Sequence, residues 1–355
     1  MQALAACYEV LGNTQHSTGD FNAALDSEQR ALDINLKLFG EEHVDTANSY
    51  HNLGTTQHSL GDFSAALDSK QHALDIRLKL FGEEHADTAN SYQSLGNTQH
   101  SLGNLEAALD CKQHALDIRL KLFEEEHADT ANSYHNLGTT QHSLGNFNAA
   151  LDSYQHALDI RLKLFGEEHA DTANSYHNLG TTQHSLGNFN AALDSQQHAL
   201  KICLKLFGEE HAVTANSYLN LGTTQHSLGN FNAALDSKQH ALDIRLKLFG
   251  EEHANTADSY CSLSVTQHSL GDFNAALDSS LHALDIRLKL FGEEHADTAD
   301  SYRTLGATQH TLGNFEALLD SDQHELDIAF FTTILNLVLM SPQSRTLLHP
   351  VPRLW

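Results

Sequence analysis

Between residues 127 and 144 the small and apolar positions are Ala131, Tyr134, Leu137, Gly138 and Leu144, at steps of three, three, one and six. That spacing lays one stripe along a helix, and Gly145 ends it. A second apolar stripe starts at Phe147 and runs through Ala150, Leu151, Ala157, Leu158, Ile160, Leu162 and Leu164 to Phe165. Gly166 is expected to close this helix as a left-handed cap residue. The connector Glu-Glu-His-Ala-Asp follows, with an Asp near the next helix start, where the helix dipole favours negative charge. The unit is therefore helix–turn–helix, and with no strand-forming segments between the stripes the fold class is all-α.

The same unit returns along the chain. Glu-Glu-His places its histidine at 43, 85, 127, 169, 211, 253 and 295, each 42 residues after the last. His127–Glu168 differs from His169–Glu210 only at Tyr154/Gln196, Asp159/Lys201 and Arg161/Cys203. A period between 20 and 50 residues marks a stacked array in which each unit buries its apolar face on its neighbours. Eight tandem repeats are expected over residues 1–328 of the 355-residue chain. Residues 329–340 are apolar and expected to extend or cap the last helix, or to make a self-association contact. They are too few to cross a membrane. Residues 341–355 read as a disordered tail.

Composition narrows the partners. Lys plus Arg is 20 against 46 Asp plus Glu, a formal charge of −26. Such a chain repels nucleic-acid phosphates and anionic lipid, so neither nucleic acid nor membrane is expected as a partner. The four cysteines, Cys7, Cys111, Cys203 and Cys261, show no zinc or CxxC spacing, and there is no Asn-x-Ser/Thr sequon. Met1–Leu11 lacks the basic start of a signal peptide. A cytoplasmic location fits best. Full protonation of the 26 histidines would cancel the net charge.

No reactive constellation stands out. Phosphate-binding glycine loops, the Gly-x-Ser-x-Gly elbow and His-Glu-x2-His are all absent. Paired carboxylates such as Glu41-Glu42 and Glu83-Glu84 sit in connectors, not clefts. The histidines form three columns: His16, His58, His100, His142, His184, His226, His268 and His310 near the end of the first helix; His72 to His324 on the second; and the connector series. Equivalent positions on stacked helix pairs lie about 10 Å apart, too far to share one metal ion. No enzyme activity, cofactor or metal is expected.

Tyr134-x2-Leu137-Gly138 followed by Gly145, Phe147, Ala150 and Ala157 resembles the tetratricopeptide pattern. The 42-residue length and the Phe-Gly-Glu-Glu-His-Ala-Asp-Thr-Ala string look like the long subtype of kinesin light chains and nephrocystin-like proteins. The resemblance covers residues 1–328 and implies a right-handed α-α superhelix. It also has departures. Gln57, Gln141 and Gln183 stand where the family has an aromatic, as do Lys70, Lys112, Gln196 and Lys238, and only Tyr154 restores one. Prolines occur only at 342, 350 and 352. A softer array than the family norm is expected.

The resemblance further implies a groove lined from the first helix of each repeat. Carried over, one lining column is mostly Asn: Asn48, Asn90, Asn132, Asn174 and Asn216. A second is the histidine series His58, His100, His142, His184 and His226. A third varies freely: Glu9, His51, Gln93, His135, His177, Leu219, Cys261 and Arg303. Variation on one stripe amid near-identical repeats points to recognition of a peptide or partner helix. Drift at tolerant surface sites is the competing account, and variation on the second helix, from Glu28 to Asp322, weighs toward it. With Arg303 as the one basic residue of the stripe, the groove suits backbone or neutral groups, not the carboxylates that chaperone clamps and kinesin light chains read. The expected function is a non-enzymatic interaction scaffold with a protein or peptide partner. The alternative is a spacer or effector array with no groove ligand.

Overall fold

The computed structural model describes residues 1–123, 126–314 and 317–327. The described residues are helical apart from short turns and connectors, and they divide into two compact units, Met1–Asn188 and Phe189–Trp355. The first unit holds α1 (Gln2–Ser17), α2 (Phe21–Phe39), α3 (Val44–Ser59), α4 (Phe63–Phe81) and α5 (Ala86–Ser101). It continues with α6 (Leu105–Phe123), α7 (Ala128–Ser143), α8 (Phe147–Phe165) and α9 (Ala170–Ser185). The second unit holds α10 (Phe189–Phe207), α11 (Ala212–Ser227), α12 (Phe231–Phe249), α13 (Ala254–Leu270), α14 (Phe273–Phe291) and α15 (Ala296–Thr311), followed by a helical stretch at 317–327. Odd-numbered helices are the first helix of a repeat and even-numbered ones the second. The expected extension at 329–340, with any self-association through it, and the tail at 341–355 lie outside the described residues.

Short, repeated signals set the helix boundaries. The connector histidine is itself the N-cap of each following helix: His43 Nδ1 accepts from the Asp45 backbone N–H at 3.2 Å, and His85, His127 and His169 act alike. Asp20, Asp62 and Asp272 cap second helices by accepting from the backbone N–H three residues on, at 3.1–3.2 Å. At the other end Gly166 has the expected positive φ of 79°, but its ψ is −175°. That is extended positive-φ backbone, not the left-handed helical cap, and it is open essentially to glycine alone. The Gly166 carbonyl then accepts from Thr172 Oγ1 at 2.9 Å, which ties one repeat's end to the next repeat's start.

Helices pack with their sequence neighbours. In the first unit α7 lies on α8 within a repeat and on α6 before it; in the second α11 lies on α12 and on α10. The buried seam is made of small residues, with Ala24, Ala31, Ala47, Ala66 and Ala73 all at 0 % exposure, and leucines such as Leu53 and Leu74 between them. Close approach depends on the glycine of the Leu-Gly pair: a Cβ on Gly54 would lie 2.8 Å from Lys70 Cγ and 3.2 Å from the Ala66 carbonyl oxygen. One expected weakness is repaired. Gln57, in the place of the family aromatic, accepts from Ser69 Oγ at 2.7 Å, and Gln141 from Ser153 at 2.7 Å. A part-buried hydrogen bond between the paired helices replaces ring packing there.

Candidate protein-interaction face

The Asn column of the first helices is largely engaged within the array. Arg77 on α4 donates through Nη2 to Asn48 Oδ1 at 2.9 Å and through Nη1 to Ser91 Oγ at 2.7 Å on the next repeat. Arg119 holds Asn90 and Ser133 in the same way, Arg161 holds Asn132 and Ser175, and Arg245 holds Asn216 and Ser259. These guanidinium groups staple successive repeats. The sequence reading missed the staple, although an Arg stands 29 residues after each of these four asparagines. Where the column changes, the chemistry follows. Asn35 replaces the Arg in the first repeat and donates to Glu9 Oε1 at 2.8 Å; Arg287 meets Asp258 at 2.8 Å.

The variable column of the second helices is buried from Glu28 to Ser280, and Asp322 is exposed. Lys70, Lys112 and Lys238 are 3–4 % exposed, and their ammonium groups donate to Thr98, Thr140 and Thr266 Oγ1, each at 2.8 Å. None has a carboxylate partner among the described residues, and burial pulls each down to about 8. Tyr154 occupies the same place in the fourth repeat. It packs over Gly138, joins a cluster with Ala150, Leu158 and Leu179, and donates to Thr139 Oγ1 at 3.1 Å. Arg303 is therefore not the only cation near the face: lysines and arginines stand behind it.

The variable stripe of the first helices is mostly half-buried. His51 and His135 are pushed down to about 4, chiefly by burial and next by the charge of Arg77 and Arg161 respectively. Each carries an Nδ1 with no hydrogen-bond partner, as does Gln93 at Oε1. Burial also lowers His177. Glu9 is spent on Asn35 and on Ser49 Oγ at 3.3 Å. Leu219 is half-buried; Cys261, its thiol raised by burial, lies 3.7 Å from Ser301 Oγ; Arg303 is exposed and paired to Asp300. His51, Gln93 and His135, one to a repeat, thus each keep a polar atom without a partner, whereas Glu9 and Arg303 are engaged.

The histidine column is also engaged. His58 Nε2 lies 3.0 Å from Ser101 Oγ of the next repeat, His100 is 3.0 Å from Ser143, His142 is 3.4 Å from Ser185, and His226 is 2.9 Å from Ser269. His58, His142 and His226 also pack against the phenylalanine that opens the following helix, with ring centroids 5.0–5.1 Å apart. Burial lowers His58, His100, His142, His184 and His226. On the second helices His72, His114 and His156 stack on Tyr50, Tyr92 and Tyr134 at 4.9–5.1 Å.

A cavity of about 400 Å³ opens on this face between α7 and α9, lined by His135, Thr139, His142, Ser143, Tyr154, Asn174, Asn178, Thr181 and Thr182. No lining residue is Asp, Glu, Lys or Arg. Thr139, Ser143, Thr181 and Thr182 donate to carbonyls four residues back at 2.8–3.0 Å. Thr139 Oγ1 also accepts from Tyr154, and Ser143 Oγ lies against His100 Nε2. Asn178 donates to Asn174 Oδ1 at 3.4 Å. Twenty-nine residues after Asn174 the sequence has Cys203, not Arg. The sequence reading did not single out Asn178 or Thr181; their columns change between repeats, with Asn52, Ser94 and Thr304 in the first and Thr55, Asn97 and Val265 in the second. Among the described residues no cluster of three or more His, Cys, Asp or Glu could hold a metal ion, and no helix is long and apolar enough to cross a membrane.

Known proteins share this architecture. BtubC (BKLC) from P. vanneervenii superposes with a TM-score of 0.58 at 23% identity, over 65% of this chain and 92% of its own. A Podosopora anserina putative kinesin light chain with nearly identical repeats gives 0.54 at 21% identity, over 59% and 99%. A Rap protein complexed with Competence and Sporulation Factor gives 0.54 at 14% identity, over 93% and 98%. At these identities the likeness concerns the fold. No curated protein matches the chain. The tetratricopeptide repeat profile matches residues 3–79, 69–121, 100–163, 129–205, 171–247, 228–289 and 268–329. With that coverage, the chain belongs to the tetratricopeptide repeat family.

Proposed function

We propose that the chain is a non-enzymatic, cytoplasmic interaction scaffold whose first-helix face binds an extended segment or helix of a protein partner. The carrying observation is that His51 Nδ1, Gln93 Oε1 and His135 Nδ1, on a first-helix stripe that varies between repeats, have no hydrogen-bond partner. A buried polar atom without a partner costs about 1–3 kcal/mol, and a bound backbone or amide that displaced its cover would relieve it. The uncharged cavity beside His135 adds room for such a group. Arg77 and Arg161, which depress His51 and His135, disfavour a cationic ligand there. The Rap protein solved with Competence and Sporulation Factor lends support as a fold relative in a complex.

A second reading has its own observation. Arginine staples occupy Asn48, Asn90, Asn132 and Asn216, as a spacer selected for stiffness would require. The two separate in one experiment. The chain and its Asn178→Arg and Asp152→Arg variants serve as baits in cell extract, with captured proteins identified by mass spectrometry. Asn178 lines the cavity, while Asp152 is exposed on α8. A partner held by the parent and Asp152→Arg but lost by Asn178→Arg supports the scaffold. Equal capture by all three, or none, rejects it in favour of the spacer.

A further inference from the structure

The histidine N-caps are not equivalent, and the difference bears on acid. Each accepts through Nδ1 from the backbone N–H two residues on, so each needs an unprotonated Nδ1; His211 does so with Val213 at 3.2 Å. At His43, His85, His127, His169 and His295 that second residue is Asp, whose Oδ2 lies 3.7–3.9 Å from Nδ1. If such a ring gains a proton it loses its cap bond, but the new Nδ1–H finds a carboxylate within reach. The helix dipole at that N-terminus is offset by the same Asp. His253 has Asn255, a neutral acceptor. His211 has Val213, which offers nothing.

The rest of the surroundings match between repeats. His211 stacks on Phe207 of α10 at 4.7 Å, as His169 stacks on Phe165 of α8 at 4.4 Å. The charged groups next to His211 in the connector are Glu209 and Glu210, and Lys247 of α12 holds Glu210 Oε1 at 2.9 Å. Beside His127 the counterpart is Glu126, with Lys163 on its Oε1 at 2.8 Å. The first two turns of α11 contain no charged side chain. The substitution of Val213 for Asp is thus what distinguishes this cap.

We propose that the N-cap of α11 is an acid-labile joint: protonation of His211 removes a helix cap with no carboxylate to replace it, and the start of α11 frays before the helices whose capping histidine is followed by Asp. The joint does not depend on any ligand for the face. It would loosen the part of that face carried by Leu219 and Thr223.

Amide hydrogen exchange on the full chain at pH 7.4 and 5.5, corrected for intrinsic rates, reads this directly. Loss of a cap plus an adverse dipole contact corresponds to roughly tenfold faster exchange. That change is expected in residues 213–219 of α11, with less than about twofold in residues 171–177 of α9. Val213→Asp, at an exposed position, restores the other repeats' arrangement and should bring α11 back to the α9 behaviour. His211→Asn, a cap that does not titrate, should do the same. Equal change in the two helices, no change in either, or a Val213→Asp chain as acid-sensitive in α11 as its parent would each overturn the proposal.

Discussion

Lys70→Tyr should make the protein more stable, although it deletes a buried hydrogen bond. Lys70 is 4 % exposed, and its ammonium meets only the Thr98 hydroxyl at 2.8 Å. Burial brings it to about 8 from 10.5. At about 1.4 kcal/mol per pKa unit, holding the charge inside costs up to about 3 kcal/mol at neutral pH. The fourth repeat shows what can stand there instead: Tyr154 over Gly138, its hydroxyl donating to Thr139 at 3.1 Å. The second repeat has Gly54 and Thr55 in the same register, and Thr55 lies within the same first-helix sequence, Thr-Ala-Asn-Ser-Tyr-His-Asn-Leu-Gly-Thr-Thr. Thr98 also donates to the Ser94 carbonyl at 3.3 Å, so losing Lys70 does not strand it. Setting the lost bond, about 1 kcal/mol, against the removed charge leaves a net gain of about 1–2 kcal/mol.

Urea unfolding followed by far-UV circular dichroism, repeated from pH 7 to 10.5, tests both magnitude and cause. The folded-state value lies below the unfolded one, so between pH 8 and 10.5 the unfolded chain binds more protons, and parental stability rises across that window. Lys112 and Lys238 contribute in the same sense. The variant should unfold at higher urea at pH 7 and show a shallower rise above pH 8. A lower midpoint with an unchanged alkaline slope would refute the reasoning, because it would mean the ammonium is adequately solvated where it lies.

Two other outcomes are expected. His51 and His135, at about 4 when folded against 6.5 free, bind fewer protons than in the unfolded chain. Their contribution is complete above pH 6.5 and is lost as pH falls toward 4, by up to about 3 kcal/mol each; His51→Gln/His135→Gln should flatten the thermal melting curve's pH dependence over that range. Arg161→Gln removes the donors to Asn132 at 2.9 Å, Ser175 at 2.8 Å and the Asp171 carbonyl at 3.2 Å. It should cost about 2–4 kcal/mol by urea unfolding, whereas an exposed change such as Asp152→Asn should stay within about 0.5 kcal/mol.

The repeat, the helix pairs and their ends were readable because each rests on local rules repeated at a fixed period. The stripe from Phe147 to Phe165 coincides with α8, and glycines follow the second helices where a positive φ is required. The candidate face was only partly readable. Variation marked His51, Gln93 and His135, which the structure leaves with unused polar atoms, but the same variation marked Glu9, which is internally spent. The Asn column, carried over from the family's lining positions, has a further role that the sequence reading did not see. The amide oxygens of Asn48, Asn90 and Asn132 accept from arginines 29 residues away.

What the sequence by itself determined, then, is the secondary structure, the stacking order and the family, since hydrophobic period, caps and glycines act within a few residues. Tertiary structure decided which polar side chains are consumed by the stack and which are left over. Lys70 looks like a surface residue in sequence and is buried because Gly54 lets two helices close upon it. Hydrogen-bond capacity is shared among groups brought together from different repeats, so what remains for a partner is known only after those bonds are made.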